Sequence, residues 1–355
     1  MALASELFAV SDDDAVERLH REGLTDGLPV IVPTPERVER MLVGTTMDPD
    51  VILGVIGPLE GAATVRKVAI NAVMAGCLPE HLPLVIAAVE AVSDARFGVG
   101  AVQATTHNCA PMLIVNGPAR TANGPFASGT GALGHGNRAN LSVGRALRLI
   151  LINVGGGRPG LGDMAQLGHP GKIAYCLAED EESNPWGALH TTLGFAAGDS
   201  TVTALAAEAP HSIRLRVQTR DDADRLLRVA GMALASVGSN NVQFGTGNVL
   251  VVLNPEHAAA LADRSRLDVQ EAIYEYAWQP TALLRELHGD TIALRGDRMR
   301  VVGEPEDILL MVAGGGGGYS AVIPTWGGGS SGSRAVTARV REYDICDFGG
   351  GSAAD

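Results

Sequence analysis

A chain of 355 residues with 46% hydrophobic and 19% charged content is globular rather than disordered, and long enough for two packed cores. Its formal charge of −13 repels a phosphate polyanion, so no nucleic-acid partner is expected. No apolar run reaches the roughly 18 to 20 residues that span a bilayer, and the first ten residues carry no basic region, so neither membrane insertion nor secretion is expected.

The spacing of Ala15, Val16 and Leu19 predicts a helix over 12–22, behind an Asp-rich cap and stopped at Gly23. Thr25-Asp26-Gly27 reads as a turn. Thr34 as N-cap and Pro35 at the first helical position open a second helix. Residues 64–77 and 83–93 read as two more helices. Met112 to Val115 should be a buried strand ended by Asn116-Gly117-Pro118, and 140–153 a helix with Leu141, Gly144, Leu147 and Leu151 inward and Arg145 and Arg148 on adjoining faces. An α/β rhythm then begins near Pro210: strand 212–217, helix 221–236, strand 248–253, a helix capped by Asn254, a helix over 268–287, and strands at 299–302 and 307–313.

The expected fold class is α/β, with two subdomains of mixed sheets flanked by helices and Gly-rich connecting loops. The first domain covers 1–209 and carries the Asn/Arg/Gly-rich loops; the second covers 210–348, and 349–355 form a frayed tail. Four cysteines (Cys77, Cys109, Cys176, Cys346) lie far apart without CxxC spacing, which fits reduced thiols in the cytoplasm.

Three blocks are candidates for chemistry. The first spans 105–145. There Asn116, Asn137, Arg138, Asn140 and Arg145 have the donors to orient a carboxylate or amide, and the expectation is that Asn116, Asn137, Arg138 and Asn140 line one pocket. Turn formation is the alternative role of the same residue types. His107 and Cys109, two apart on an extended segment, could form an imidazole-activated thiol, although a Cys ahead of an apolar strand is more often buried. His107, Cys109 and His135 show no metal-ligand spacing, so no metal residues are assigned.

The second block spans 163–190, from Asp163 through His169-Pro170-Gly171-Lys172 and Tyr175 to Glu179-Asp180-Glu181-Glu182, Trp186 and His190. A carboxylate held in an apolar pocket beside Trp186 would have a raised pKa, which makes Glu179 and Glu182 candidate acid/base groups along with His107 and His190. A solvated acidic loop is the competing reading. The third block is the run of five glycines between Ala313 and Tyr319, a strand end that could form an anion nest or a tightly packed loop; with the Gly/Ser run 327–333 it could form a lid.

The pieces Thr25-Asp26-Gly27-Leu28-Pro29, Asn71 to Gly76, Val115 to Pro118, Asn137 to Asn140, Gly144-Arg145-Ala146, Ala178-Glu179, Glu181 to Ser183, Pro185-Trp186 and Asp199 to Val202 resemble the long C-terminal region of the UGSC family of (seleno)proteins, over about 20–205. Members carry a U/C-G-S-C motif in a separate N-terminal domain, and this sequence holds neither. The resemblance therefore implies a scaffold and a pocket, but not the redox motif. If a thiol reacts, Cys109 would have to supply it.

The leading expectation is an enzyme, an oxidoreductase or lyase, for a small carboxylate- or amide-bearing substrate. Asn116, Asn137, Arg138, Asn140, Arg145 and Trp186 would bind it, and His107, Cys109, Glu179, Glu182 and His190 would do the chemistry. The alternatives are a binding or carrier subunit that works with a separate redox partner protein, and a metal-dependent hydrolase or lyase. The cofactor is undetermined, and assembly into a homo-oligomer is left open.

Overall fold

A computed structural model describes residues 11–289, 291–328 and 332–341, so Cys346 and the expected tail lie outside the described residues. The local signals act as their chemistry dictates. Ser11 caps helix Asp12–Arg21, whose first turn is Asp12-Asp13-Asp14, and Thr34 caps Pro35–Leu42 by accepting the Arg37 N–H. Helices Val65–Ala75 and Leu82–Ser93 follow a hairpin, β1 (Ile52–Ile56) and β2 (Gly61–Thr64), which sequence periodicity alone does not reveal.

The first large sheet has the order β12-β5-β3-β4, from β3 (Ala110–Asn116), β4 (Cys176–Ala178), β5 (Thr201–Ala207) and β12 (Val336–Arg339). β3 runs parallel to β4 and antiparallel to β5. The second sheet, β10-β7-β11-β6, comprises β6 (His211–Arg214), β7 (Val249–Leu253), β10 (Ile308–Val312) and β11 (Tyr319–Ile323). A small antiparallel pair, β8 (Trp278–Pro280) and β9 (Arg298–Arg300), completes the strands among the described residues. The chain is thus α/β with mixed sheets flanked by helices.

Side-chain alternation explains how the layers stack. In β3, Leu113 and Val115 point into a core shared with helices Val65–Ala75, Leu82–Ser93 and Arg138–Asn153, while Ala110, Met112 and Ile114 point to the other face. In β7, Val249, Val251 and Leu253 meet helix Arg220–Leu234, while Leu250 and Val252 turn to the same inner face as Met112. The two sheets therefore pack face to face over a third core that includes Met112, Ile114, Leu205, Leu250, Leu309, Met311 and Ile323. The result is four layers, helix, sheet, sheet, helix. A central strand buried on both faces needs a continuous apolar run, as in Val249-Leu250-Val251-Val252-Leu253 of β7.

Two features depart from the expected segmentation. Pro210 lies between β5 and β6, and the segments before and after it share the inter-sheet core, with β12 returning from the C-terminal part to pair with β5. The helix expected over 268–287 is broken. It forms as Arg266–Tyr274 and Thr281–His288 with β8 between them, because Pro280 has no N–H for an interior helical bond and instead leads into the second helix.

Candidate functional site

The acidic run sits where the ends of β3 and β4 meet the second sheet. Glu179 is fully buried: Oε2 accepts from Asn116 Nδ2 at 2.6 Å and from the Leu189 N–H at 2.7 Å, and Oε1 from Asn184 Nδ2 at 2.7 Å. Burial pushes its carboxyl up, against the pull of these three donors. Glu181 accepts the Gly117 N–H at 2.7 Å and a second bond from Asn116. Glycine is required at 117 on two counts: its backbone is left-handed, and a Cβ would lie 2.1 Å from the Asp199 carbonyl oxygen. Glu182 is exposed and clamped by Arg120 through two bonds of 2.7 and 2.9 Å, which hold its pKa down at about 2. It is a carboxylate at neutral pH and cannot serve as an acid there. Trp186 donates Nε1–H to the Arg264 carbonyl and packs on the second core, and buried His190 bonds the Ala196 carbonyl through Nε2.

The expected binders hold backbone rather than a common pocket. Asn137 caps helix Arg138–Asn153 by accepting the Asn140 N–H, and its amide donates to the Pro125 carbonyl. Arg138 donates twice to the Gly76 carbonyl, and Asn140 fastens the loop at Ala127 and Ala132. Asn116 belongs to the Glu179 network. Helix-capping and loop-tying roles thus consume the donors that the sequence offered for a substrate. The glycine run likewise packs closely: Gly314 N–H bonds the Ser128 carbonyl, and a Cβ at Gly315 would lie 2.2 Å from Thr130 Oγ1.

The His107–Cys109 pair is not made. His107 Nε2 lies 2.7 Å from Glu208 Oε1, whereas Cys109 Sγ points to the Val102 carbonyl at 3.8 Å in full burial. Burial pushes the Cys109 thiol up to about 12, so it is protonated at neutral pH. His135 lies on an exposed loop, and among the described residues no group of three or more His, Cys, Asp or Glu side chains is placed to hold a metal ion.

What does converge is a cavity of about 410 Å³ on the helical side of the first sheet. Its wall includes Thr25, Asp26, Gly27, Arg148, Arg158, Asp163 and Lys172. Helix Arg138–Asn153 supplies Arg148, whose guanidinium is buried with Nη1 3.4 Å from Asp163 Oδ2 and whose Nε has no hydrogen-bond partner among the described residues. Lys172 Nζ reaches both oxygens of the same carboxylate, at 2.9 and 2.7 Å. Burial, and next to it the Arg148 charge, lower the Lys172 pKa, while Asp163 opposes them. Arg145 grips Asp26 with bonds of 2.7 and 2.8 Å and donates to the Pro29 carbonyl, which fixes the 25–29 turn as one rim. Arg158 lies against Gly23 and has no ion-pair partner among the described residues. Four cationic side chains (Arg145, Arg148, Arg158, Lys172) thus meet two carboxylates (Asp26, Asp163), a positive excess inside an acidic protein.

On the far side of segment 164–169, the His107–Glu208 pair rims a more open cleft of about 620 Å³ with Thr106, Gln166, Gln243 and Trp326. Its imidazole Nε2 is bound to Glu208, and its Nδ1 is buried with no partner among the described residues. The 410 Å³ cavity has the buried charge that the cleft lacks.

Sequence reasoning placed Asp163 and Lys172 in a suggestive block without assigning them roles, and read Arg148 only as a helix face. One signal was available. Arg148 interrupts the apolar stretch Ala146 to Ile152, and a cation inside a core-facing run must be paired or functional. No protein-family model, curated protein or solved structure matches the chain.

Proposed function

We propose that the protein is an enzyme that binds a small carboxylate-bearing substrate in the cavity walled by Arg148, Asp163 and Lys172, and acts on it by acid/base chemistry. The observation that carries this is the buried Arg148 with an unpartnered Nε, sharing a single carboxylate with Lys172. A guanidinium does not lose its proton in a protein, so the low-dielectric wall is completed by an anion. A volume of about 410 Å³ is in the range of small-molecule sites. Lys172 and Asp163, 2.7 Å apart, are the groups that exchange the proton. The lining residues all fall within the stretch that resembles the UGSC scaffold. In this reading the protein works in the cytoplasm, in keeping with three buried free cysteines.

Thermal-shift titration with paired ligands, lactate against lactamide and succinate against succinamide, tests it. The carboxylates should stabilise the protein and the amides should not. Arg148→Gln should weaken carboxylate binding by roughly 10- to 100-fold, the scale of one hydrogen bond to a charged group. Equal responses to acid and amide, or unchanged binding in the variant, would refute the proposal.

A further inference from the structure

The sequence contains two lysines, Lys67 and Lys172, against twenty-five arginines. Nearly every exposed cation is therefore an arginine, including those in ion pairs such as Arg66 with Glu39 and Arg341 with Glu90. Lys67 is exposed and bonds the Ala62 carbonyl. Lys172 is the exception, an amine placed in a cavity beside a buried guanidinium. An arginine would form the Asp163 pair at least as well, and bidentately. What an amine adds is a lone pair once it loses a proton.

We infer that Lys172 is a nucleophile that condenses with the carbonyl carbon of a 2-oxo acid whose carboxylate is held by the neighbouring arginines. The inference rests on the carboxylate-binding reading above and names its substrate class. Two bonds from Nζ go to Asp163, and no other partner among the described residues competes for the amine's remaining direction while it lines the cavity. Because Arg148 and Lys172 engage the same carboxylate, cation and amine stand on adjoining parts of the wall. A 2-oxo acid carries its carboxylate one bond from its carbonyl, which suits that adjacency.

The burial and neighbouring charge that disfavour the ammonium also favour attack. In the step itself, the neutral Nζ lone pair forms a bond to the carbonyl carbon, and the C=O π pair moves to oxygen. A proton passes from nitrogen to that oxygen through Asp163, giving a carbinolamine. Asp163 then returns the proton that the Lys172 ammonium gave it on becoming the neutral nucleophile, the protonated hydroxyl leaves as water, and a protonated imine remains. Ammonium and ketone become iminium and water, and nothing is oxidised or reduced. The iminium then serves as the electron sink for losing a proton or a carbon substituent at the adjacent carbon, which is lyase or isomerase chemistry.

The test is trapping. The full chain is incubated separately with glyoxylate, pyruvate, 2-oxobutyrate and 2-oxoglutarate in the presence of cyanoborohydride, which delivers hydride to any imine formed. Intact-mass and peptide-mapping spectra then locate the adduct, with only Lys67 and the N-terminal amine as competing sites. The expected result is one reduced adduct on Lys172 with at least one acid, formed at least tenfold faster than on Lys67, abolished in Lys172→Arg and slowed in Asp163→Asn. Equal labelling of Lys67 and Lys172, or no adduct with any of the four acids, would overturn the inference whether or not the variants fold, because the decisive measurement is made on the unaltered protein. If these acids raise the melting temperature in an Arg148-dependent way without an adduct, the carboxylate site survives and the nucleophile is wrong. If they neither bind nor react, both readings fall.

Discussion

Lys172 Nζ lies 2.7 Å from Asp163 Oδ2, nine residues away along a loop that leaves the helix carrying Arg148 and returns to β4. The carboxylate bridges an amine on its own loop and a guanidinium on the helix. The loop is also pinned to the neighbouring 103–108 segment by the Met164 N–H to Gln103 carbonyl and Gln166 N–H to Thr106 carbonyl bonds. The cavity wall is therefore held at both ends before any ligand enters, which is the condition for preorganised binding.

Cys109 should behave as scaffold. Iodoacetamide at neutral pH should leave it unlabelled in the native protein, because it is fully buried and its thiol pKa is pushed up to about 12. Cys109→Ser should cost about 1 to 3 kcal/mol in urea unfolding through a poorly partnered hydroxyl. Rapid native-state labelling would reinstate thiol chemistry.

Glu179 should give the protein a measurable pH signature. Its folded pKa is raised, chiefly by burial, so the stability it contributes is complete below the ordinary glutamate value and declines as pH rises through the folded value. Glu179→Gln lacks that decline. Urea unfolding of both proteins between roughly pH 5 and 8 should show their stability difference moving in the variant's favour as pH rises. Parallel curves would mean that Asn116, Asn184 and the Leu189 N–H offset the burial entirely.

Gly144 should reverse the usual helix rule. Alanine normally improves a helix interior by about 0.5 to 1 kcal/mol over glycine. Here a Cβ would stand 2.7 Å from the Tyr175 backbone nitrogen, where helix Arg138–Asn153 crosses the segment leading into β4. Backbone cannot move aside as a side chain can, so Gly144→Ala should instead destabilise by about 1 to 3 kcal/mol. A raised melting temperature would show that the helix slides to make room.

Asp26 should couple stability to the cavity rim. Burial alone would raise its pKa, but the two-pronged Arg145 contact more than offsets this and holds it below the ordinary aspartate value. Its contribution is thus present above that ordinary value and lost as pH falls through the lowered one. Asp26→Asn leaves Arg145 short of a buried partner and should cost on the order of 3 kcal/mol at neutral pH. Because the 25–29 turn is one rim of the cavity, carboxylate binding should weaken along with it. Loss of stability with binding intact would separate the rim from the site.

Much of the local architecture was legible along the chain. Thr34-Pro35 and Asn254-Pro255 announce helix starts because a cap satisfies N–H groups two or three residues away, a wholly local matter. The apolar strands at 112–115, 249–253 and 308–312 declared themselves through unbroken hydrophobic runs, which double-sided burial requires. The same runs could not say which face meets helices and which meets the second sheet, nor that β12 would return to β5, since pairing partners lie 130 or more residues away. The loops rich in Asn and Arg were visible, but not their use: Asn137, Arg138 and Asn140 satisfy backbone groups that only the folded chain brings to them. The cavity was the least legible part. Asp26, Arg148, Asp163 and Lys172 come from three separate segments, and no spacing rule joins residues 26 and 148. Their meeting depends on the close crossing that Gly144 allows and on the burial of Arg148, and charge becomes consequential there because the surrounding core excludes water.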